Sequence, residues 1–136
     1  MNTGLDCEII EDHGLPLTYL IRTKRLPEET TFLTPASFKQ QVGFVVYPEG
    51  EEIPRHVHLP LERRLVGTSE VILVQKGRCV LDIYSDDREL VASRELGPGD
   101  LMLMVGGGHG FRMLEDTVLL EIKQGPYTGL DEKERF

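Results

Sequence analysis

Turn-forming residues recur at short intervals along this chain, and their spacing limits the length of any regular element. Gly, Pro and Asp mark these turns, as in GPGD at 97–100 and GGG at 106–108. The segments between the turns are short and rich in Val, Ile and Leu, and helical periodicity is scarce. This pattern predicts an all-β sandwich or barrel. The predicted strands are residues 6–11, 17–22, 40–47, 52–58, 70–75, 78–84, 89–95, 100–105, 109–114 and 117–124.

Two of the predicted strands are apolar at every position rather than at alternate ones. They are VILV at 71–74 and LMLMV at 101–105. Such strands pack between two layers, or belong to a sheet whose outer face contacts another subunit. We therefore expect a homodimer. Helical turns are predicted only at 60–66 and 130–136.

Length and composition predict one domain over residues 1–136, because 136 residues with 40% hydrophobic side chains can bury a core of their own. No apolar run is long enough for a membrane span, and residues 1–14 lack the pattern of a secretory signal. We expect a cytoplasmic protein. The cysteines, Cys7 and Cys79, are too few for a disulfide framework, and the alternation around Cys79 predicts that it packs in the core.

The net charge of −8 excludes the classes of protein that bind nucleic acid or anionic membranes through a basic surface. A small molecule is the partner that we expect.

A His-x-His pair, His56 and His58, lies in the predicted strand 52–58. Alternation along a strand points both imidazoles to one face, where they could bind one metal ion. On these two residues alone, an ordinary pair of polar side chains on an exposed strand is the other interpretation.

Two further residues extend the pattern of candidate ligands. Glu70 opens an apolar strand, where a carboxylate either lies at the solvent edge or faces a cation. His109 lies in a glycine-rich turn, where the backbone can bring a side chain close to another group. Three imidazoles and one carboxylate suit one divalent transition metal ion, such as Fe, Mn, Ni, Zn, Co or Cu. The fourth histidine, His13, lies in a polar stretch and is predicted to be a surface residue.

These residues resemble the two motifs of the cupin superfamily over residues 40–124. Gly50, His56, His58, Glu70 and Gly77 fill the first motif, and the stretch from Gly99 to His109 is similar to the second. The second motif departs at Gly106, where proline is usual, and at Met113, which stands where the closing asparagine would be. The resemblance implies a jelly-roll barrel, the cupin double-stranded β-helix, with residues 1–39 as additional N-terminal strands and 125–136 as a tail.

By the same resemblance, the metal ligands are His56, His58, Glu70 and His109. The eleven residues between His58 and Glu70 are more than the family usually has, and Glu62 within them is the alternative carboxylate. We favour Glu70, because an apolar strand and Gly77 follow it as in the family.

Further residues could line such a site. Arg63 and Arg64 could bind a carboxylate or phosphate, or could pair with acidic neighbours such as Glu62. Phe111, which shares a face with His109 in a regular strand, could form an apolar wall.

Three residues are candidate proton carriers. Glu121 and Lys123 share a strand face that points either to solvent or into the barrel, and Tyr47 could direct its hydroxyl inward.

The function that we expect is a metal-dependent enzyme acting on a small polar or anionic metabolite, such as a sugar or keto acid. Isomerisation, epimerisation and oxygenation are all known on similar cupins, and the fold cannot choose among them. The alternative is a non-catalytic module that binds or senses a small molecule.

Overall fold

Two antiparallel sheets form the body of the protein. The computed structural model describes residues 4–136, apart from the side chains of residues 130 and 131. A five-stranded sheet has the order β1-β2-β8-β5-β10, and a three-stranded sheet has the order β7-β6-β9. The strands are β1 (Cys7–Asp12), β2 (Leu15–Arg22), β3 (Thr31–Phe32), β4 (Gly43–Phe44), β5 (Glu70–Lys76), β6 (Cys79–Tyr84), β7 (Leu90–Leu96), β8 (Asp100–Met104), β9 (Gly108–Met113) and β10 (Val118–Lys123). The predicted all-β fold is confirmed.

The main core lies between the two sheets, because the strands of both alternate apolar residues toward each other. Leu81 and Ile83 of β6 face Ile72 and Met102 of the larger sheet, and all four are buried. Cys79 is fully buried in the same core, as its alternation predicts.

A second, smaller core covers the outer face of the larger sheet. Tyr19, Val71 and Leu103 are buried there, against Phe38 and Val42. The segment that covers them includes the small hairpin of β3 and β4. This second layer explains why the strands at 71–74 and 101–105 are apolar on both faces.

An ion pair joins the two sheets at the side opposite to β10. Arg94 of β7 donates to both carboxylate oxygens of Glu8 of β1, at 2.9 Å and 2.7 Å. At the other side, β9 and β10 each end their sheet with a free edge among the described residues. Hydrogen-bonded strands therefore do not close the described sheets into a barrel.

The structure contradicts two of the predicted strands and one helical turn. Residues 52–58 form no strand, and the predicted strand 40–47 is reduced to Gly43–Phe44. Pro48, Pro54 and Pro60 interrupt this region, and each lacks the amide hydrogen that a strand ladder needs. Residues 60–66 are not helical, while the tail forms a short 3₁₀ turn at Gly129–Glu132.

Residues 47–66 form an irregular segment that we call the arm. Every residue of the arm is exposed, including Val57 at 81% and Leu59 at 80%. The hydrogen bonds and ring contacts described for the arm join arm residues to one another. They are the bond from the Glu51 amide to the Pro48 carbonyl, the contact of the His56 ring with the Pro54 carbonyl, and the packing of the His56 and His58 rings.

Within residues 4–136 there is no helix long and apolar enough to cross a membrane.

Candidate functional site

An open cavity of about 1120 Å³ lies where the free edges of the two sheets approach each other. Strands β5, β9 and β10 contribute to its wall, together with the tail. Side chains in this wall that can donate or accept a proton include Glu70, Tyr84, His109, Glu121 and Glu132. Two of the predicted metal ligands and one predicted proton carrier therefore line the same space.

Glu70 and His109 form a close polar pair in this wall. The His109 Nε2 atom lies 3.3 Å from a Glu70 carboxylate oxygen, and the Glu70 side chain is only 8% exposed. The hydrogen bond from His109 holds the pKa of Glu70 below its usual range, although burial acts in the opposite direction. A buried carboxylate that stays ionised makes a strong hydrogen bond with its imidazole partner, and this bond fixes the position of the ring.

The antiparallel register explains why Glu70 is buried at the start of its strand. Glu70 pairs with Met104 of β8 on one side and with Lys123 of β10 on the other. Residues paired across a sheet share a face, so Lys123 and, by alternation, Glu121 lie on the face that carries Glu70. Glu121 also contributes a hydrogen bond that lowers the pKa of Glu70.

Lys123 is not a free base in this arrangement. Its ammonium group donates to Glu132 of the tail at 2.9 Å, and both side chains are only 18% exposed. This hydrogen bond raises the pKa of Lys123 above its usual range and lowers that of Glu132. Lys123 therefore remains a cation at neutral pH, and its contribution to the site is electrostatic.

Aromatic rings form part of the cavity wall. Phe111 lies two residues after His109, and their ring centroids are 5.9 Å apart in an edge-to-face arrangement. The Phe136 ring packs against Tyr84 at 5.1 Å, with the Arg88 guanidinium over its face. Phe111 thus lies where an apolar wall was expected.

The predicted site residues of the arm lie apart from this cluster. His56 and His58 are exposed, with their rings 5.2 Å from each other, and do not line the cavity. Among the described residues the arm reaches the cavity only at Val66.

The remaining predicted arm residues are also in solvent. Tyr47 is 48% exposed, and Arg63, Arg64 and the alternative ligand Glu62 are exposed as well. Their proposed contacts with a substrate or metal therefore stay predictions. His13, expected at the surface, is exposed.

The described residues of one chain do not assemble a complete metal site. Within residues 4–136 there is no cluster of three or more His, Cys, Asp or Glu side chains arranged to hold a metal ion. The four predicted ligands form two separate pairs: Glu70 and His109 lie 3.3 Å apart in the cavity wall, and His56 and His58 lie together on the arm away from the cavity. Two protein donors are fewer than a tightly bound transition metal ion usually has.

Sequence reasoning missed the contribution of the tail. Glu132 pairs with Lys123, Glu134 pairs with Arg88, and the Phe136 ring closes one end of the cavity. The charged sequence DEKERF at 131–136 gave no sign of a contact with residues so distant in the chain. The cis peptide between Gly125 and Pro126 lies where the tail leaves β10.

Comparisons with protein families, with curated proteins and with solved structures found no match to this chain.

Proposed function

We propose that this chain is an enzyme of the cupin type, with a jelly-roll fold, that isomerises or epimerises a small polar or anionic metabolite such as a sugar or keto acid. The observation that carries the proposal is the pair of the half-buried His109 with the buried Glu70, beside a second carboxyl group, Glu121, in the wall of one cavity. Two groups that can exchange protons in one site are what a proton-transfer reaction requires.

His109 is the proton acceptor in this proposal. Its Nε2–H donates to the ionised Glu70, so the neutral ring carries its basic lone pair on Nδ1. Glu70 also stabilises the imidazolium that forms when Nδ1 takes a proton from a carbon next to a carbonyl group. Glu70 is a positioning residue in this scheme, because it acts through His109.

Glu121 is the second proton carrier. Isomerisation returns a proton to a different atom of the substrate, and epimerisation returns it to the opposite face of the same carbon. A carboxyl group near the first base, on the adjacent sheet edge, suits either task. Lys123 supplies positive charge behind Glu132 and favours substrates with a carboxylate or an enolate-like transition state.

The divalent metal ion that the cupin motifs imply stays a prediction, because among residues 4–136 its candidate donors lie in two separate pairs, Glu70 with His109 and His56 with His58.

The test is exchange of substrate hydrogen with solvent deuterium, followed by nuclear magnetic resonance on a panel of sugars and keto acids in D₂O. We expect the wild-type chain to label the carbon next to the carbonyl group of its substrate. His109→Gln and Glu121→Gln should each slow this exchange by about 100-fold or more. His13→Gln, at an exposed histidine outside the cavity, is the matched control and should exchange at the wild-type rate.

Non-catalytic binding of an anionic metabolite is a second candidate, because the Lys123 ammonium group lies next to Glu132 of the cavity wall. A permanent cation behind the cavity wall attracts an anion without moving a proton. Under this alternative, a compound from the panel raises the melting temperature of the protein but exchanges no hydrogen. If no compound is bound and none is exchanged, both candidates fail.

A further inference from the structure

A second cavity, of about 610 Å³, lies at the end of the sheets opposite to the His109–Glu70 pair. Strand β8 joins the two places, because Asp100 at its start lines this second cavity and Met104 at its end lines the first. At about 3.4 Å per residue, these two residues are roughly 14 Å apart along the strand. The second cavity is therefore a different place on the molecule, and the proposed function does not use it.

Positive charge is concentrated in the wall of this second cavity, which we call the basic pocket. Four of the 15 Lys and Arg residues of the chain line it, against three carboxylates, so the local balance is positive although the net charge of the chain is −8. The cations are Arg22, Lys24, Arg25 and Arg78, and the carboxylates are Asp6, Glu95 and Asp100. A local excess of cations in an acidic protein favours the binding of an anion.

Carboxylates hold two of the four cations in fixed positions. Arg22 Nη1 donates to the Asp100 carboxylate at 2.5 Å and to the main-chain carbonyl of Glu95 at 3.2 Å, so it joins the larger sheet to the smaller one. Arg78 donates to the Glu95 carboxylate from Nε at 2.9 Å and from Nη2 at 2.8 Å. Because a guanidinium group has five N–H donors, each arginine keeps donors for a ligand.

The turn between β7 and β8 leaves room for these side chains. The Gly97 amide donates to the Asp100 carboxylate at 2.8 Å, and this bond holds the group that orients Arg22. A Cβ atom at Gly97 would lie 2.8 Å from Nη1 of Arg78, so the missing side chain makes space for the guanidinium group. The turn thus allows Arg22 and Arg78 to reach one pocket.

Lys24 and Arg25 supply charge that no carboxylate of the described residues neutralises directly. Both follow the end of β2, both are exposed, and within the described residues neither side chain makes an ion pair or a hydrogen bond. The third carboxylate of the wall, Asp6, leaves an excess of one positive charge. The pocket therefore combines two oriented guanidinium groups with two cations that are free to approach a ligand.

We propose that the basic pocket binds a phosphate group, either as the free ion or as part of a small metabolite. Guanidinium groups bind phosphate oxygens through paired hydrogen bonds, and an ammonium group adds charge without a fixed direction. The volume of about 610 Å³ is in the range of small-molecule sites, so it leaves room for the rest of a phosphorylated metabolite. This inference goes beyond the proposed function and does not depend on it.

The test is a nuclear magnetic resonance titration of ¹⁵N-labelled protein with inorganic phosphate, glycerol 3-phosphate and acetate. We expect both phosphates to shift the amide signals of Gly97 and Gly99, with dissociation constants of about 1 mM, because exposed cations bind weakly. Acetate should bind about fivefold more weakly, since it has fewer oxygens and less charge. Tighter binding of glycerol 3-phosphate than of phosphate indicates a phosphorylated metabolite, whereas equal binding indicates the free ion.

Lys24→Ala/Arg25→Ala removes the two cations that have no partner and should weaken phosphate binding by about tenfold. Lys39→Ala/Arg55→Ala is the matched control, because it removes the same charge from exposed positions outside the pocket, and it should bind phosphate as the wild type does. Equal losses in the two variants would assign the binding to the net charge of the chain and overturn the proposal. Unchanged amide signals in the wild type with both phosphates would overturn it as well.

Arg78→Lys distinguishes a directed site from diffuse attraction, because it keeps the charge and removes the planar guanidinium group. We expect phosphate binding to weaken by about fivefold, with little change in the free energy of unfolding, since the Arg78–Glu95 pair is about half exposed. Full affinity in Arg78→Lys would mean that the pocket attracts anions without directed hydrogen bonds, and the proposal would fail. His109→Gln, in the other cavity, should bind phosphate as the wild type does, so this site and the proposed enzyme activity are tested by different variants.

Discussion

At the scale of single residues, the clearest electrostatic feature outside the cavity is Asp82 of β6. Arg112 of β9 donates to both of its carboxylate oxygens, at 2.8 Å and 3.1 Å, and Ser93 of β7 donates to one at 2.6 Å. One carboxylate thus links all three strands of the smaller sheet. The hydrogen bonds from Arg112 and then Ser93 lower the pKa of Asp82 to about 2.

The lowered pKa of Asp82 predicts a stability contribution that depends on pH. A carboxyl group with a lower pKa in the folded than in the unfolded chain stabilises the fold where it is ionised in both states. The contribution of Asp82 is therefore complete above about pH 4 and is lost as the pH falls toward 2. We expect Asp82→Asn to lower the free energy of unfolding by about 1–2 kcal/mol at pH 7, a value reduced for the exposure of Arg112.

Urea unfolding of both proteins between pH 7 and pH 2.5 measures this effect. The difference between wild type and Asp82→Asn should shrink at the acid end. Asp87→Asn, in the exposed turn between β6 and β7, should match the wild type throughout. A difference that persists unchanged at pH 2.5 would assign the stabilisation to packing rather than to charge.

The residues of the site differ in how far the sequence could predict them. Glu70 and His109 lie at strand starts with strong local signals, and the approach of the two sheets brings them together. The pattern around His56 and His58 predicted a strand that the structure does not contain, because Pro54 and Pro60 lack the amide hydrogen that a strand ladder needs. The sequence alone could not show which face of the sheet carries Glu121 and Lys123. That face follows from the pairing of β10 with β5, which alternation along one strand cannot give.

At the scale of elements, the turn between β8 and β9 decides where His109 lies. Gly107 has a positive φ of 63°, and a Cβ atom at this position would lie 2.1 Å from the Tyr84 carbonyl oxygen. Only glycine allows the backbone to pass so close to β6. The turn then leads into β9, whose second residue is His109.

The close approach of Gly107 to Tyr84 predicts that Gly107→Ala strongly lowers the stability of the protein. A left-handed backbone lowers the stability by about 1 kcal/mol for alanine. The clash of the added Cβ atom with the backbone also forces β9 or β6 to shift. We expect the free energy of unfolding to fall by about 3 kcal/mol, measured by urea denaturation at pH 7.

Gly110→Ala is the matched control, because a Cβ at Gly110 has no heavy atom within 4 Å and its backbone is not left-handed. It should be neutral or slightly stabilising, since alanine loses less entropy than glycine on folding. Equal stability of the two variants would mean that the turn can move away from Tyr84 at little cost.

Local sequence patterns predict a strand correctly where other residues of the same chain pack against that strand. Strands β5, β6 and β8 combine apolar runs with flanking glycines, and each lies within two residues of its predicted bounds. The failure at 52–58 has a physical reason. A strand needs a hydrogen-bonded neighbour, and the described chain offers residues 52–58 none, so β-like composition there is not sufficient.

At the scale of the whole molecule, an excess of negative charge surrounds a cavity that we propose for an anionic ligand. The net charge of −8 repels anions at long range, so local cations must offset it. Lys123 is such a cation, but Glu132 of the tail already pairs with it at the cavity wall. Under the proposed function, the tail would therefore compete with an anionic ligand for Lys123.

This competition predicts that Glu132→Gln binds small anions more tightly than the wild type. Removing the carboxylate frees the Lys123 ammonium, and the gain should be about fivefold in affinity, or about 1 kcal/mol, as for a partly exposed ion pair. Calorimetric titration with pyruvate, a small keto acid, measures it. Glu134→Gln is the control from the same tail, because Glu134 pairs with Arg88 instead of Lys123. If both variants gain affinity equally, the effect is a general reduction of negative charge, and Lys123 does not recognise the ligand. A gain confined to Glu132→Gln would make the tail the element that limits entry of anions to the His109–Glu70 pair.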